Sequence, residues 1–298
     1  MKRLRSNLKL RCIIMKRADI FCYGEAQITK TKFNSMTGFE CYVHSAYLNK
    51  KDNYRRGLAI FFRESYKFFF SKVYSCRKFD IVWMRLTTRS EKIYFCFFYA
   101  PGDHHGISIR KMFYAYLSRS YDKFASLGRA YLVGDTNARL GSFLNDRDVR
   151  GNCVSNRNSN LLMSFLEYSA LTVLNRRWQF GVPTYEIVGK RRSIIDMCFT
   201  NSASSVIDFE VFFHFLGLSV QTCHKILATS VRIDCPPSCL KGRCPNTRSF
   251  KNSELPEQVN VVFSVREKIL SMLDSQQLIY TPDYFTLIDS FFEIKFRD

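Results

Sequence analysis

The sequence predicts a layered α/β (α+β) fold, and three observations carry that reading. Several short, nearly continuous apolar runs have the look of strands covered on both faces. One long segment repeats its apolar residues at helical spacing. The strand-like runs also follow one another in succession as well as alternating with helix-like segments, as in packed layers of sheet and helix. At roughly 100–200 residues per domain, 298 residues make one large domain, or one domain with an appendage. Apolar residues make up 46% and charged residues 24%, which excludes a long disordered chain.

In chain order, a basic, helix-like stretch (Leu4–Arg17) leads into a short apolar run, Asp19–Tyr23. Gly57–Phe62, Phe79–Leu86, Lys92–Tyr99 and Arg129–Val133 read as buried strands. Between the last two, Ile109–Leu127 places Phe113, Leu117, Tyr121, Phe124 and Leu127 on one helical face, and Gly128 ends it. A second helix covers Asn160–Ser169, and Leu171–Leu174, Ile194–Phe199, Phe209–Phe213 and Ile226–Ile233 read as further strands. The Phe-rich Tyr66–Val73 is a faint candidate for a membrane contact, but a core strand is the simpler account. Composition shifts after Ile233. These changes divide the chain into a domain over 1–233, a Pro- and Cys-containing linker over 234–256, and a helical tail over 257–298. In the tail, Val262, Val265, Ile269 and Met272 share a helical face, and Thr281-Pro282-Asp283 is a helix start ahead of an apolar stripe, Tyr284, Leu287, Ile288, Phe291 and Phe292.

The formal net charge of +19 points to an anionic partner: nucleic acid, anionic lipid or a phosphorylated substrate. The 11 cysteines are odd in number and dispersed. Met1–Arg17 carries many basic residues and no apolar signal core, so the thiols read as reduced and the protein as intracellular. The longest apolar run, Ile93–Pro101, is about half the ~20 residues that cross a bilayer, so no membrane span is expected.

Carboxylates at the ends of apolar runs are where a rigid sheet can aim chemistry. Phosphodiester hydrolysis with a divalent metal needs hard oxygen ligands, an oriented base and polar groups that stabilise the developing charge. Five places fit. Glu25 follows the Asp19–Tyr23 run, although a lone Glu there is ordinarily a solvated side chain. Tyr99 precedes Ala100-Pro101-Gly102, where packing is the bland account. Gly134-Asp135-Thr136-Asn137-Ala138-Arg139 follows a strand and sets a carboxylate and an amide two residues apart, hence on one side of an extended chain. Asp196 stands within an apolar run, a costly position for an unpaired carboxylate. Thr222-Cys223-His224-Lys225 opens the last core strand, where a lone His is more often structural than catalytic.

In this order, from about Ala18 to Ile233, the residues resemble the endonuclease/exonuclease/phosphatase superfamily. The nearest likeness is to the apurinic-like endonuclease domain of non-LTR retrotransposons and to craniofacial-development-protein-2-like chains. Arg56-Gly57-Leu58-Ala59-Ile60, Asn158-Ser159-Asn160 with Leu161-Leu162, the Leu171–Asn175 strand, Pro183-Thr184-Tyr185 and Ser193-Ile194-Ile195-Asp196 add to the match. The resemblance implies a four-layer sandwich of two packed mixed β-sheets flanked by helices, and Mg²⁺- or Mn²⁺-dependent hydrolysis of DNA, by nicking. It implies that Glu25 holds the metal, Tyr99 contacts the scissile phosphate, Asp135 activates water and Asn137 orients the phosphate. It also implies that Asp196 fixes the His224 tautomer while His224 faces the phosphate. An imidazole beside a carboxylate has its charged form favoured, which suits it to that place. DNA as partner also implies a nuclear location.

Two departures accompany the resemblance. The family's first strand, which carries an Asn near the metal, reads as missing ahead of Glu25. The family's Ser-Asp-His is here Thr222-Cys223-His224, with a neutral thiol, a poor Mg²⁺ ligand, in place of the acid. A degenerate protein that at most binds nucleic acid is therefore one alternative, and a phosphatase of the same fold is another. Lys2, Arg3, Arg5, Lys9, Arg11, Arg139, Lys190, Arg191 and Arg192 are candidate phosphate contacts, each equally readable as part of a solvated basic face. Cys235, Cys239 and Cys244 lack a fourth ligand for structural zinc, and His104-His105 beside Asp103 reads as a polar loop before it reads as a metal site.

Overall fold

The structure is a computed structural model. It describes residues 18–24, 37–44, 57–187, 189–212 and 223–233, and the chain path and pairing of 290–297. Glu25, the helix-like Leu4–Arg17, the place of the family's first strand, the 234–256 linker and the tail up to 289 lie outside the described residues.

Two six-stranded sheets form the frame. In chain order the strands are β1 (Ile20–Gly24), β2 (Phe39–His44), β3 (Leu58–Arg63), β4 (Phe70–Ser75), β5 (Asp80–Thr87), β6 (Lys92–Tyr99) and β7 (Arg129–Asp135). They continue with β8 (Thr172–Val173), β9 (Tyr185–Ile187), β10 (Arg191–Ser193), β11 (Asp196–Thr200), β12 (Val206–Phe212), β13 (Ile226–Arg232) and β14 (Ser290–Arg297). The first sheet runs β12-β13-β14-β1-β3-β2 and the second β4-β5-β6-β7-β11-β8, with β9–β10 as a separate hairpin. Both sheets are mixed: β6 and β7 pair in parallel, as do β13 and β14, and the other pairs are antiparallel. Helix α1 (Ile107–Ala125) makes the crossover between β6 and β7, and α2 (Ser159–Ser169) packs beside it.

Alternation along the strands explains the layers. In β5, Val82, Met84 and Leu86 enter the core between the sheets with Ile20, Leu58, Ile60, Phe95 and Phe97. Ile81 and Trp83, on the opposite face, pack with Phe98, Phe113, Leu117, Tyr121 and Phe124 under α1. Each such fully buried side chain stabilises by about 1.5–3 kcal/mol relative to exposure. Two sheets and one helical layer are thus described. Leu127, predicted on the buried face of α1, lies past the helix end and is 56% exposed. Gly134 lets β7 approach β6, since a Cβ there would overlap the Phe98 carbonyl and ring.

Three elements differ from the sequence reading. Leu171–Leu174 is only briefly a strand, because the chain winds into α3 (Leu174–Trp178). There the Asn175 amide stands in for a neighbouring strand. Its Oδ1 accepts from Cys198 N (3.0 Å) and its Nδ2 donates to the Asp196 carbonyl (3.1 Å). Within Tyr66–Val73, Phe70 onward joins the second sheet as β4, with Phe70 buried. The end of the predicted helical tail is a strand. β14 lies between β13 and β1, so the globular unit reaches beyond residue 233. The apolar positions 292, 294 and 296 alternate with charged 293, 295 and 297, a period of two that hydrogen-bonding neighbours on both sides can use. Among the described residues, no helix is long and apolar enough to cross a membrane.

Candidate active site

Strand register assembles the site. Across the second sheet, Asp80 of β5 pairs with Tyr99 of β6, Tyr99 with Asp135 of β7, and Asp135 with Asp196 of β11. These residues stand in one row at one end of the sheet. The order arises because β6 and β7 are parallel and both run toward that end, while β11 starts from it.

Past the row, β7 leads into a tight loop. Asn137 adopts a left-handed backbone (φ 47°), a region that Asn tolerates better than most residues. Its N–H donates to Asp135 Oδ1 (2.7 Å) and its Nδ2 to the Ala100 carbonyl (2.8 Å). Its own carbonyl accepts from Asn156 Nδ2 (2.9 Å) and Asn158 Nδ2 (3.0 Å). Asp196 is held similarly, its N–H donating to Thr184 Oγ1 at 2.9 Å. Thr136 N donates to the neighbouring Ile195 carbonyl at 2.8 Å.

His224 reaches this row from just ahead of β13 in the other sheet. Its Nδ1 donates to Asp196 Oδ2 at 2.9 Å, which selects the tautomer. The Tyr185 ring packs edge-on against it at 4.8 Å. Glu186 N donates to the Cys223 carbonyl and Lys225 N to the Thr184 carbonyl, both at 2.7 Å, tying the β9–β10 hairpin to the His224 segment. Lys225 is buried, its Nζ 2.8 Å from Glu186 Oε2, and burial lowers its pKa despite that partner.

A cavity of about 510 Å³ opens here. Its lining includes Tyr99, Asp135, Asn137, Arg139, Arg191 and His224, all singled out from the sequence. Asp196 stands behind His224, fully buried. Lys190 and Arg192 neighbour the cavity in sequence but do not line it. Arg139 lines it with its guanidinium engaged: Nη2 and Nε bind Asp146 at 2.8 and 3.1 Å, and Nη2 also donates to the Arg192 carbonyl. Burial raises the Asp146 pKa, against the lowering effect of Arg139. This arginine therefore ties the Asn137 loop to the segment before β11.

Sequence reasoning did not single out Asn156, Asn175, Thr184, Tyr185 or Arg110 as parts of the site. Their signal was weak because each acts on main-chain groups or on a neighbour's ring. Asn158, Asn175, Thr184 and Tyr185 did stand within the segments of resemblance.

Asp135, Asp196 and His224 each offer a ligand atom, and these lie within 4.8 Å of one another. Carboxylate oxygens, with an imidazole, are donors that suit a hard or borderline divalent cation. Since Asp196 already serves His224, Asp135 is the described carboxylate best placed to hold one.

No protein-family model matches the chain, and no curated protein matches it in sequence. Solved structures do. A 3′ phosphatase, NExo from Neisseria, bound to product DNA hairpin, aligns with a TM-score of 0.57 at 14% identity, over 74% of this chain and 93% of that one. The endonuclease domain of TRAS1, a telomere-specific non-LTR retrotransposon, aligns with a TM-score of 0.45 at 19% identity, over 59% and 74%. The human Nocturnin catalytic domain with bound sulfate aligns with a TM-score of 0.48 at 13% identity, over 72% and 82%. The architecture is that of a two-sheet α/β sandwich with its polar cluster at one sheet end. The chain has the endonuclease/exonuclease/phosphatase fold.

Proposed function

We propose that this chain is a divalent-metal-dependent phosphodiesterase that nicks DNA. The observation that carries the reading is the convergence of Asp135, Asp196 and His224 within 4.8 Å, beside a cavity that Tyr99, Asn137 and Arg191 also line. A divalent cation, Mg²⁺ or Mn²⁺, would be held by Asp135 together with Glu25, and would neutralise charge on the phosphate. Asp135 would take the proton of the attacking water or orient it. Asn137 keeps its amide fixed by donating one hydrogen to Ala100, which aims the other donor. The Asp196 carboxylate stabilises a protonated His224, whose Nε2–H would donate to a phosphate oxygen as negative charge builds on it. Tyr99, next in the row, would donate its hydroxyl to the same group.

The net charge of +19, with Lys190 and Arg191 both exposed on the turn and arm of the β9–β10 hairpin beside the cavity, supports a polyanion over a small phosphate ester. Such a substrate agrees with a nuclear location.

The test is nicking of supercoiled plasmid in Mg²⁺, with and without chelator, beside an Asp135→Ala, His224→Ala double variant. A 3′-phosphorylated oligonucleotide is assayed in parallel. Chelator-sensitive nicking that the variant lacks supports the proposal. Release of phosphate from the oligonucleotide without nicking replaces it with a phosphatase. No turnover by folded protein makes the chain a non-catalytic relative, in line with Cys223 standing where the resemblance expects an acid.

A further inference from the structure

We infer that His104 is a substrate-contacting residue of this cavity, its imidazole donating to a phosphodiester oxygen from the Asn137 side. This rests on the phosphodiesterase reading above. His104 is exposed and lines the same cavity as Asp135, Asn137 and His224. Gly102 brings it there. A Cβ at position 102 would lie 3.0 Å from His104 Nδ1 and 3.1 Å from its Cε1, and 3.7 Å from Asn137 Oδ1. The imidazole of His104 and the amide of Asn137 therefore both border the space above Gly102. A Cβ at 102 would make the imidazole give by a few tenths of an ångström.

The segment that carries His104 is also fastened to the segment that carries Asn137. Fully buried Asn158 donates to the Pro101 carbonyl (2.9 Å) and to the Asn137 carbonyl (3.0 Å). Its Oδ1 accepts from Arg110 Nη1 (3.1 Å), and Arg110 Nε donates to the His105 carbonyl (3.0 Å). Arg110 is itself only 4% exposed. One buried amide–guanidinium pair thus sets the main chain on both sides of the cleft between His104 and Asn137. The His105 ring backs that of His104 at 3.9 Å between centroids. An exposed residue on a loop anchored in this way is oriented before any ligand arrives, which lowers the ordering cost of binding. Imidazole, amide and the nearby Arg191 guanidinium are all donors, and the ligand class that takes several donors at once is a phosphate oxyanion.

The chain has five histidines, so their Cε1–Hε1 signals form a small, assignable set. The experiment titrates the dinucleoside monophosphate TpT into the full chain in chelator, where turnover is blocked. His104→Gln and His224→Gln assign two of the signals. The expected result is that the His104 and His224 signals both shift and saturate together while that of His44 stays put. In cleavage assays, His104→Gln raises KM by about 10-fold for the loss of a hydrogen bond to a charged group, Gly102→Ala raises it by less, and both change kcat less than KM. Saturable movement of His224 without His104, or an unchanged KM in both variants, overturns the role of His104 and leaves the phosphodiesterase reading standing. Movement of neither imidazole overturns both.

Discussion

Asp196 and His224 are 28 residues apart in the chain, yet the carboxylate meets imidazole Nδ1 at 2.9 Å inside the protein. One segment makes the meeting possible: the Thr184 hydroxyl pins the Asp196 main chain, while the Thr184 carbonyl and the Glu186 N–H tie down the residues on either side of His224. Asp196→Asn preserves volume but removes the carboxylate that orients the imidazole. Turnover is expected to fall by roughly 10²–10⁴-fold, by analogy with the loss of the orienting carboxylate in a catalytic triad. Single-turnover kinetics checks the size of the fall. A thermal melt separates it from unfolding.

Asn158 serves two carbonyls and one guanidinium without surface exposure. Asn158→Ala takes this partner from the Pro101 carbonyl and from Arg110 Nη1, while the Asn137 carbonyl keeps Asn156 Nδ2, and each buried unsatisfied group costs about 1–3 kcal/mol. The expected loss is a few kcal/mol, read as a lower denaturant midpoint with an unchanged slope. Asn158→Asp keeps the shape and the Arg110 contact but replaces the donors with acceptors that face two carbonyls. A stability equal to that of the unaltered chain would contradict the clamp.

Gly134→Ala inserts a methyl where the Phe98 carbonyl and ring already sit, between parallel strands β6 and β7. The strands must separate or Phe98 must leave its place. A cost of about 1–3 kcal/mol or more follows from overpacking. Because Phe98↔Gly134 adjoins Tyr99↔Asp135 in the register, activity is expected to fall along with the melting temperature.

Lys190 and Arg191 are both exposed, whereas Arg139 is engaged by Asp146. Lys190→Ala and Arg191→Ala are expected to reduce the slope of log binding constant against log salt by about 1 each. Arg139→Ala is expected to act on stability instead, by leaving Asp146 as a buried unpaired carboxylate. Fluorescence-anisotropy titrations of a short duplex at several salt concentrations, paired with melts, distinguish the two behaviours.

Burial drives the Cys22, Cys96 and Cys198 thiols well above their usual pKa, and reactivity belongs to the thiolate. Cys153 is exposed. Among the described cysteines, Cys153 is expected to be alkylated first at neutral pH, with the other three protected until the protein unfolds. Mass spectrometry of a timed labelling series reads this directly.

The sequence alone was sufficient where the signal is local. The stripe at Phe113, Leu117, Tyr121 and Phe124 specified α1, and the continuous apolar run Lys92–Tyr99 specified β6, since side-chain period follows from backbone geometry. The ordered motif residues marked Tyr99, Asp135, Asn137 and His224, which share one cavity. Weakly patterned elements escaped it. The β9–β10 hairpin is three residues a side, and the apolar stripe near the C-terminus fits a helix until the strand neighbours of β14 are known.

Tertiary structure decided the partners. That Asp135 stands opposite Asp196, that Arg139 binds Asp146, that Asn175 completes β11 and that His104 shares a cavity with Asn137 are all relations between residues apart in the chain. Periodicity and turn chemistry report what one stretch of backbone prefers. Register and hydrogen-bond partners depend on which stretches are brought together, so the order of residues pointed to candidate groups, and packing alone determined which of them share one site and which hold that site in place.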